Sequence, residues 1–581
     1  MKFETSWFDK SDLCYYERVN DGQKSLKRRI PGRYEYFEPS SNGDFTTLVG
    51  GIKVERRLGK ASDTHDKYGV TKPIYLNIRD HFWGNAYNTT PNVWYLDIET
   101  RALGSPSPEG LFPITLIQVF DTSKNLMIVL GLRAWQAEPD YDAGVAVKYL
   151  CFKTEEELLQ GYLKLFKALD PLIIYAWNGS GFDFPYIFNR LKKYGLHRQM
   201  SNYGDAELEI KRDEYKLYTP GHHYMDMLDV YKKFVSTPRK SYSLDSIATV
   251  EVRANKVEHT EFNNFDSFYT GKDYTIAETP YEDRIRETIR QLMISRQTLS
   301  KDSHEYQENE AEILKYVNFQ FVYYGIIDVV LLRKIDLKLK FTSIILYIAQ
   351  MMGVLIDDTI ATVKPWAQYI SNVGYTQHKV MPKYQDHSTK NVDLTFLSYP
   401  LQEKVKQYYN EHSLELHNDI DIEGIADLAL REEVLTEASL QGGFVKDPVR
   451  GKHLWVMNAD VNSMYPMLSM ASFNMSPETY VSQNELPQDL RFLINKYFSG
   501  QKEGERFNVP AEAMHKITAL LKQHNLALSV NGACFTHESE GIIPALVKRI
   551  YTERKQDKKT MQRYENRKVL IQSIIREKTR S

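Results

Sequence analysis

Two acidic residues alternate within an apolar segment of the chain, residues 93–99 (VWYLDIE). Because side chains alternate across a strand, the carboxylates of Asp97 and Glu99 share one face. Two carboxylates that close together beside apolar neighbours are costly unless a cation lies between them. Two divalent ions about 3.5–4 Å apart would relieve the repulsion and bind the attacking and leaving oxygens of a phosphodiester. Hard oxygen ligands favour Mg²⁺ or Mn²⁺, although the pair by itself is more typical of an exposed strand end.

A third acid follows a second apolar segment, in residues 171–190 (PLIIYAWNGSGFDFPYIFNR). The pattern predicts a strand that ends at Trp177, a turn that begins at Asn178, and Asp183 shortly after the turn. Acids and amides at strand ends commonly build functional sites. In the alternative interpretation, Asn178 and Asp183 only cap backbone groups of the turn.

A fourth acid, Asp328, lies in a stretch whose apolar residues have helical spacing, residues 317–341. Tyr324 precedes Asp328 by four residues and therefore shares its helix face. A phenol and a carboxylate one turn apart can position a water between a metal and a phosphate. The alternative is an ordinary pair at a helix surface, which the apolar residues on both sides of Asp328 disfavour.

Two shorter patterns occur further along the chain. Asp460 ends an apolar run at residues 454–457 (LWVM), which predicts a strand continuing to about residue 461, and Tyr465 and a proline follow. The paired glycines Gly442 and Gly443 would allow close approach of the backbone to a ligand. In isolation, the acid is equally a strand-end cap, Tyr-Pro a turn, and Gly-Gly a turn.

The C-terminal segment is strongly basic. From Pro544 onward no Gly or Pro interrupts the chain, so one long helix is predicted. From Lys548 to the end there are twelve Lys or Arg and four Asp or Glu, a charge balance suited to a polyanion. Arg554 and Lys558 project from one helix face, where Arg can bind a triphosphate in bidentate fashion and Lys as a point charge. A solvated basic helix is the alternative.

The chain that must position these side chains has 581 residues, of which 42% are hydrophobic and 12% aromatic, and its formal net charge is −2. That length predicts three or four domains. No stretch of 18 apolar residues occurs, so no membrane partner is expected. The three cysteines are scattered and match no zinc or disulfide framework, which favours a reducing compartment and a cytoplasmic location. Strands followed by helices at residues 91–335 predict an α/β domain.

The order D-I-E, then N-x-x-x-x-F-D, then Y-x-x-x-D resembles the three exonuclease motifs of B-family DNA polymerases. The resemblance implies that four acids hold two metal ions, Mg²⁺ or Mn²⁺, per active site: Asp97, Glu99, Asp183 and Asp328. It also implies that Tyr324 orients the attacking water and that Asn178 and Phe182 line the site for a single-stranded 3′ end of DNA.

Residues 460–466 resemble the D-x-x-S-L-Y-P motif of the same family, with Met464 in place of Leu. The resemblance implies that Asp460 binds the metal ions of nucleotidyl transfer and that Ser463, Met464 and Tyr465 contact the incoming dNTP. The same resemblance assigns template–primer contacts to Gly442 and Gly443, and phosphate contacts to Arg554 and Lys558. The arrangement is most similar to replicative polymerases of T-even-type bacteriophages.

The family resemblance implies an α/β multidomain architecture with four parts. These are a mixed N-terminal domain at residues 1–90 (with 340–377 packing back on it), an RNase H-like 3′→5′ exonuclease domain at 91–339, a partial palm at 378–540, and the start of the fingers at 541–581. The second catalytic aspartate motif, D-T-D-S, does not occur in the sequence. We therefore expect the N-terminal subunit of a split polymerase, whose partner supplies that aspartate and the thumb. A sliding clamp and a single-strand-binding protein are further partners that the resemblance implies.

Three alternatives compete with this interpretation. The chain could be a stand-alone 3′→5′ exonuclease whose polymerase segment only binds DNA. It could be a non-enzymatic DNA-binding scaffold for replication, although a pure binder has no use for four convergent carboxylates. It could also be an artificial truncation of a longer protein.

Overall fold

We analysed a computed structural model of the chain. It describes residues 2–10, 13–84, 90–101, 107–138, 141–211, 214–383, 391–393, 397, 399–412, 414, 419–438, 449–457, 463–498 and 508–580. These residues divide into two compact units, one of residues 1–34 and 71–369 and one of residues 35–70 and 370–581. The predicted domain of residues 1–90 is thus divided between the two units, and the domain boundaries predicted from the sequence stay predictions.

The regular elements are numbered in chain order. The strands are β1 (Lys2–Asp9), β2 (Cys14–Asn20), β3 (Ser25–Ile30), β4 (Tyr34–Pro39), β5 (Phe45–Thr47), β6 (Lys53–Gly59), β7 (Tyr68–Thr71), β8 (Val93–Thr100), β9 (Ile114–Asp121), β10 (Leu126–Gly131), β11 (Val147–Cys151), β12 (Ile173–Ala176), β13 (Glu207–Lys211), β14 (Glu214–Tyr218), β15 (His223–Asp226), β16 (Lys379–Val380), β17 (Asn391–Asp393), β18 (Asp419–Asp421), β19 (Tyr480–Val481), β20 (Leu526–Leu528) and β21 (Cys534–Thr536). The α-helices are α1 (Pro73–His81), α2 (Glu155–Leu169), α3 (Asp183–Lys193), α4 (Met227–Phe234), α5 (Leu244–Val252), α6 (Phe265–Thr270), α7 (Arg284–Arg296), α8 (His304–Leu339), α9 (Phe341–Met352), α10 (Lys364–Thr376), α11 (Tyr399–Glu411), α12 (Leu428–Ala438), α13 (Met464–Met467), α14 (Gln488–Tyr497), α15 (Ala511–Gln523) and α16 (Ile542–Arg580). Short 3₁₀ helices occur at Ala61–Thr64, His197–Gln199, Ile356–Ile360, Ile422–Gly424 and Pro477–Thr479, and a π-helical turn at Leu468–Phe473.

The first unit is built on a six-stranded sheet with the order β11-β10-β9-β8-β12-β15. Strands β8, β9 and β10 are antiparallel neighbours, whereas β12 runs parallel to β8 and β15 runs parallel to β12. The strand predicted at residues 93–100 is therefore confirmed, and it lies in the interior of the sheet. The strand predicted before the turn at Asn178 is confirmed as β12.

Both faces of this sheet are covered, because the side chains of β8 alternate between two cores. Trp94, Leu96 and Ile98 pack with α2 and α3 on one face. Val93 and Tyr95 pack with α8 on the other. This strand is apolar almost throughout because it is buried on both sides. Its two acids therefore point into a packed layer between sheet and helix.

Helix α8 covers the second face of the sheet and is packed against β8 and β9. Its N-terminus is capped by Ser303, whose hydroxyl accepts a hydrogen bond from Tyr306 N at 3.1 Å. It ends where Lys340 adopts a left-handed conformation, with φ +61°. The helix predicted over residues 317–341 is confirmed except for this break between α8 and α9.

A separate three-stranded sheet, β1-β2-β3, belongs to the same unit. Its buried Arg18 donates to Glu4 at 2.6 Å and to the carbonyl oxygens of Asp170 and Gly221, both at 2.9 Å. A buried charge is stable only when it is paired and fully hydrogen-bonded. Arg18 thus ties the N-terminal strands to the segments that precede β12 and β15.

The second unit contains a five-stranded sheet with the order β16-β5-β6-β4-β7, in which Phe37, Val54 and Val380 form the core. A second cluster joins α11 and α12 through Val405 and Val434. A third joins α14, α15 and β21. The long basic helix predicted from Pro544 is confirmed as α16.

The N-terminus of α16 is held by polar side chains that precede β19. Ile542 N donates to Glu478 Oε1 at 2.5 Å, and Ile543 N donates to Ser476 Oγ at 3.3 Å. Asn474 accepts from Gly541 N at 2.9 Å and donates to the carbonyls of Thr536 and Ser539 at 2.7 and 2.8 Å. These bonds satisfy backbone donors that a helix start leaves without intrahelical partners.

The strand predicted at residues 454–461 is wrong over the residues that the structure describes, 454–457. Trp455 is 99% exposed and has φ +59°. An apolar run forms a strand only where a neighbouring strand takes its backbone hydrogen bonds. Among the described residues no strand pairs with this run, so its apolar side chains face solvent. Within the same described part of the chain, the helices are too short or too polar to span a bilayer.

Candidate active site

Strand β8 presents Asp97 and Glu99 on the face that is covered by α8. Asp97 lies directly opposite Gln118 of β9, and Glu99 lies opposite Leu116. Glu99 is buried and Asp97 half-buried. The predicted common face of the two carboxylates is therefore present, and it is interior, so the solvated strand end considered from the sequence does not apply.

Helix α8 brings Asp328 to the same place, 2% exposed. One carboxylate oxygen each of Asp97, Glu99 and Asp328 lies within 4.8 Å of the other two. The helix and the strand are more than 200 positions apart in the chain, so only packing of α8 on the sheet creates this cluster. It is a set of oxygen donors close enough to share a metal ion.

Asp183, which lies between Glu99 and Asp328 in the chain, is a fourth acid near this cluster. It is the first residue of α3 and is 3% exposed. Its charge is among the causes that raise the pKa of Asp97. Burial raises the pKa of Asp183 to about 8, although hydrogen bonding to the backbone at Asp183 and Ile98 offsets part of that effect.

The remaining acids are also poised toward the protonated form without a metal. Burial, followed by the charges of Asp183 and Asp328, raises the pKa of Asp97 well above its usual range. Burial, followed by the charge of Asp97, does the same to the pKa of Glu99. Burial also raises the pKa of Asp328, opposed by Lys256 and Tyr324. Mutual repulsion of buried carboxylates is the electrostatic pattern that a bound cation relieves.

Lys256 is a site residue that the sequence reasoning missed. Its ammonium group donates to the carboxylate of Asp328 and, at 3.1 Å, to Tyr324 Oη. Burial alone would lower the pKa of Lys256, but Asp328, Tyr324 and Asp97 together raise it. The lysine therefore stays charged and offsets part of the negative charge of the four acids.

The loop that carries Lys256 follows α5 and has only a weak sequence signal. Lys256 N donates to Asp245 Oδ1 at 2.8 Å, so the acid at the start of α5 anchors the loop. Nothing in the spacing of Lys256 from the acids marks it, because the loop reaches them through the fold. The four acids by themselves indicate that a cation is needed to balance them. They do not indicate that this cation is Lys256.

Tyr324 lies one helical turn before Asp328, as predicted, and is nearly buried. The rings of His259, Phe265 and Phe268 pack around it with centroid distances of 5.2, 5.7 and 6.1 Å. Burial, followed by the charges of Asp328 and Glu99, raises the pKa of Tyr324 further above its ordinary value. The phenol therefore remains protonated and can donate a hydrogen bond.

Asn178 and Phe182 lie in the turn that leads from β12 to Asp183. Asn178 has φ +58°, and its backbone N–H and that of Ser180 donate to Asp226 at 3.0 and 3.1 Å. The Phe182 ring contacts Tyr186 with a centroid distance of 5.1 Å. The turn thus positions Asp183, whereas direct contacts of Asn178 and Phe182 with a substrate stay predictions.

Comparisons with known proteins agree with this geometry. The exonuclease domain of DNA polymerase family B matches residues 53–247, and DNA polymerase family B matches residues 377–575. The chain belongs to DNA polymerase family B.

Among curated relatives of the family, the DNA-directed DNA polymerase of Escherichia phage RB69 is 23% identical over 417 residues, which is 71% of this chain and 33% of that protein. The DNA-directed DNA polymerase of Enterobacteria phage T4 is 25% identical over 439 residues, 74% of this chain and 35% of that protein. A DNA polymerase of Methanocaldococcus jannaschii is 30% identical over 135 residues, 22% of this chain and 8% of that protein. The chain thus spans about a third of the length of the two phage relatives.

The residues assigned to the polymerase half of this family member are less fully described. Asp460, Gly442 and Gly443 lie outside the described residues. Ser463 has φ +53° just before α13, on which Met464 and Tyr465 are 44% and 75% exposed. Helix α13 packs against α16.

Arg554 and Lys558 lie on α16, one turn apart and both exposed, as predicted. The described residues of the polymerase half therefore form no buried cluster comparable to the carboxylates of the first unit. The nucleotide-binding roles of Arg554 and Lys558 stay predictions.

Proposed function

We propose that the chain is a 3′→5′ exodeoxyribonuclease that hydrolyses phosphodiester bonds of single-stranded DNA with the help of two divalent metal ions. The observation that carries the proposal is the convergence of Asp97, Glu99 and Asp328 within 4.8 Å of one another. Asp183 is close enough to raise the pKa of Asp97. We also propose an RNase H-like fold for residues 91–339, supported by the strand order β10-β9-β8-β12-β15 within the six-stranded sheet. In it, β8, β9 and β10 are antiparallel neighbours, and β12 and β15 run parallel to β8.

The donor set fits Mg²⁺ or Mn²⁺. All four candidate ligands are carboxylates, which hard divalent ions prefer. Two buried oxygens, Glu99 Oε1 and Asp328 Oδ1, have no hydrogen-bond partner among the described residues, and leaving such atoms unpaired is costly. Bound divalent ions would supply Lewis acidity and a water of lowered pKa.

Tyr324 and Lys256 would prepare the site for its substrate. The neutral phenol of Tyr324 can donate to a water or a phosphate oxygen beside Asp328. Lys256 holds both Tyr324 and Asp328 through hydrogen bonds. We therefore assign Tyr324 the orientation of the attacking water and Lys256 the compensation of charge on Asp328.

The exonuclease proposal is tested with single-stranded DNA that is labelled at its 5′ end. In the presence of Mg²⁺, the wild-type chain is expected to produce a ladder that shortens from the 3′ end. Asp97→Ala and Asp328→Ala should each lower the rate by three orders of magnitude or more, since each removes a candidate metal ligand. Glu312→Ala removes an exposed acid from the same helix as Asp328 and should leave the rate unchanged.

Three results would contradict this proposal. Activity that survives Asp97→Ala or Asp328→Ala would refute the assignment of the site. DNA binding without any degradation by the wild-type chain would favour the DNA-binding scaffold instead. Shortening from the 5′ end would refute the polarity.

We further propose that the second unit is part of a DNA-directed DNA polymerase, with a partial palm at residues 378–540 and the start of the fingers at 541–581. Asp460 and Tyr465 would serve dNTP binding and nucleotidyl transfer on a template–primer. Arg554 and Lys558 would bind the triphosphate. The family match over residues 377–575 supports this proposal.

Polymerisation would then require a C-terminal polymerase fragment that supplies a second catalytic aspartate and a thumb. Exposed apolar side chains at the end of α16 support such a partner: Val569, Leu570, Ile571, Ile574 and Ile575. The test is co-expression with a downstream polypeptide that carries D-T-D-S, followed by a primer-extension assay. Failure of the two chains to associate, or association without extension, would refute the split arrangement while leaving the exonuclease proposal intact.

A further inference from the structure

Gln118, on strand β9, is a polar side chain buried beside the candidate metal site. It is 0% exposed. Neither its Oε1 nor its Nε2 has a hydrogen-bond partner among the described residues. Burying an unpaired amide costs more than burying an apolar side chain of the same shape. A glutamine at this position therefore needs a partner that the described residues do not provide.

The direction of the Gln118 side chain follows from the strand pattern. Leu116 and Phe120, two positions before and after it, pack in the core that includes α8. Ile117 and Val119 pack in the core on the opposite face. Because side chains alternate along a strand, Gln118 points toward α8, on the face that carries the acids.

The register of the sheet puts Gln118 directly opposite Asp97. Directly opposed residues of an antiparallel pair have Cβ atoms about 4.5–5.5 Å apart, so the amide can reach the Asp97 carboxylate. The side chain begins opposite Asp97 and reaches Gly325 on α8. It is thus the neutral neighbour of a ligand that must be ionised to bind a cation.

Gly325 makes room for this amide. A Cβ atom at position 325 would lie 1.9 Å from Gln118 Nε2 and 2.7 Å from its Cδ, which is far inside van der Waals contact. Gly325 follows Tyr324 and precedes Asp328 by three residues on α8. The absence of a side chain there costs helix propensity, and the space it leaves is filled by the amide of Gln118.

We propose that Gln118, seated against Gly325, is a positioning residue that hydrogen-bonds the Asp97 carboxylate when divalent cations occupy the site. This inference rests on the proposed metal-dependent exonuclease. The amide N–H would donate to the Asp97 carboxylate and so fix its rotation. Gln118 itself does not touch the substrate. Partners of this kind, which orient metal ligands, typically change metal affinity by about 10–100-fold when they are removed.

Metal binding to the full-length chain without DNA tests this role separately from activity. Mn²⁺ and Mg²⁺ are titrated by calorimetry, and heat that persists in Asp97→Asn is subtracted as binding elsewhere. Gln118→Met keeps the length of the side chain and removes its hydrogen bonds. It should weaken the Asp97-dependent binding about tenfold. Leu116→Met, a neighbouring change on the same face of β9, should leave the affinity unchanged.

Thermal unfolding separates positioning from a merely structural contribution. In EDTA, Gln118→Met should unfold at the same or a higher temperature than wild type, because an unpaired buried amide is gone. At an Mn²⁺ concentration that saturates the wild type, the unfolding temperature of Gln118→Met should rise less than that of the wild type. Gly325→Ala is a second route to the smaller Mn²⁺ shift, since its Cβ displaces the amide without changing it, and its own unfolding temperature in EDTA is the reference for that shift.

The outcomes are distinguishable. If the wild-type chain binds no more metal than Asp97→Asn, the proposed exonuclease site fails and this inference fails with it. If the wild type binds metal and Gln118→Met binds it equally well, only the role of Gln118 is overturned. If Gln118→Met lowers the unfolding temperature equally in EDTA and in Mn²⁺, the role of Gln118 is likewise overturned, because the side chain then only packs. If Gln118→Met does not fold, the metal affinity of Gly325→Ala and its Mn²⁺-induced shift in unfolding temperature decide instead.

Discussion

The acids of the candidate site in the first unit are buried or half-buried, whereas the nucleotide-binding candidates on the helices of the second unit are exposed. Asp97, Glu99 and Asp328 of the first unit lie between a sheet and a covering helix, buried or half-buried. Tyr465, Arg554 and Lys558 of the second unit lie on exposed helices. The difference shows that the packed core holds the candidate exonuclease residues in place before anything binds. The described nucleotide-binding candidates lack such packing, so a bound ligand would have to order their side chains. Substitutions at these residues should therefore lower activity strongly in the first unit and weaken ligand binding only mildly in the second.

Outside the candidate metal ligands, the largest effect is expected for Lys256→Met, which removes the cation that contacts Asp328 and Tyr324. The exonuclease rate should fall about 100-fold, the upper end of effects for groups that orient metal ligands. Lys256→Arg keeps the charge and should recover part of the rate. The measurement is the initial rate of 3′ shortening at saturating Mg²⁺. A rate for Lys256→Met within twofold of wild type would mean that the site does not depend on this internal cation.

Asn474→Ala applies the same strategy to the core of the second unit. The side chain makes one buried and two partly buried hydrogen bonds around the start of α16, so its loss should lower the free energy of unfolding by about 2 kcal/mol. Hydrogen exchange of residues 534–545 should rise, while the exonuclease rate stays unchanged. Asn474 has φ +53°, so Asn474→Gly is the control that removes the hydrogen bonds without backbone strain. Equal exchange in Asn474→Gly and wild type would show that strain, and not the bonds, explains the effect.

The raised acid pKa values predict how the metal-free protein responds to pH. Burial sets the pKa of Asp183 at about 8 in the folded state, against about 3.9 in an unfolded chain. The folded state therefore binds more protons between pH 4 and 8, and its stability should decrease as pH rises through that window, by up to about 1.4 kcal/mol per pH unit for one such group. Denaturant unfolding in EDTA measures this slope. Asp183→Asn should flatten it, and Mg²⁺ should reverse it; a flat wild-type profile would contradict the buried acid cluster.

The smallest effect is expected for the double variant Arg554→Ala/Lys558→Ala on α16. Loss of the two side chains assigned to the triphosphate should weaken binding of a fluorescent dNTP only several-fold at physiological salt, because charge contacts at an exposed surface contribute little. Lys555→Ala/Lys559→Ala removes the same charge from the neighbouring helix face and is the matched control. Binding is measured by fluorescence anisotropy at several salt concentrations. Equal losses in both variants would indicate general attraction and no specific phosphate contact.

Local patterns predicted how several residues of the candidate exonuclease site are arranged. The alternation in β8 placed Asp97 and Glu99 on one face, and the four-residue spacing in α8 paired Tyr324 with Asp328. Both rest on geometry that any strand or helix has. The apolar run at residues 454–457 misled by the same reasoning, because a strand also needs a neighbour, and periodicity alone does not identify one.

Lys256 and Gln118 could not be predicted in the same way. Lys256 lies in a loop that is held by Asp245, and its approach to Asp328 depends on how α5 and α8 pack. Gln118 acquires significance only from its register opposite Asp97 and from the gap at Gly325. Register and helix–sheet packing join segments that are distant in the chain, so spacing along the sequence does not encode them visibly.

By itself, the sequence determined which chemistry the chain can support: four acids and a tyrosine in the order of the exonuclease motifs, followed by a basic helix at its C-terminal end. Local backbone geometry was sufficient for that, since each motif spans one strand, one turn or one helix. Only the tertiary structure decided that the acids are buried together, that Lys256 offsets part of their negative charge and that Gln118 lies opposite Asp97 on the neighbouring strand. The physical reason is that burial and mutual charge, which raise the pKa values of these acids, exist only once α8 packs against the sheet.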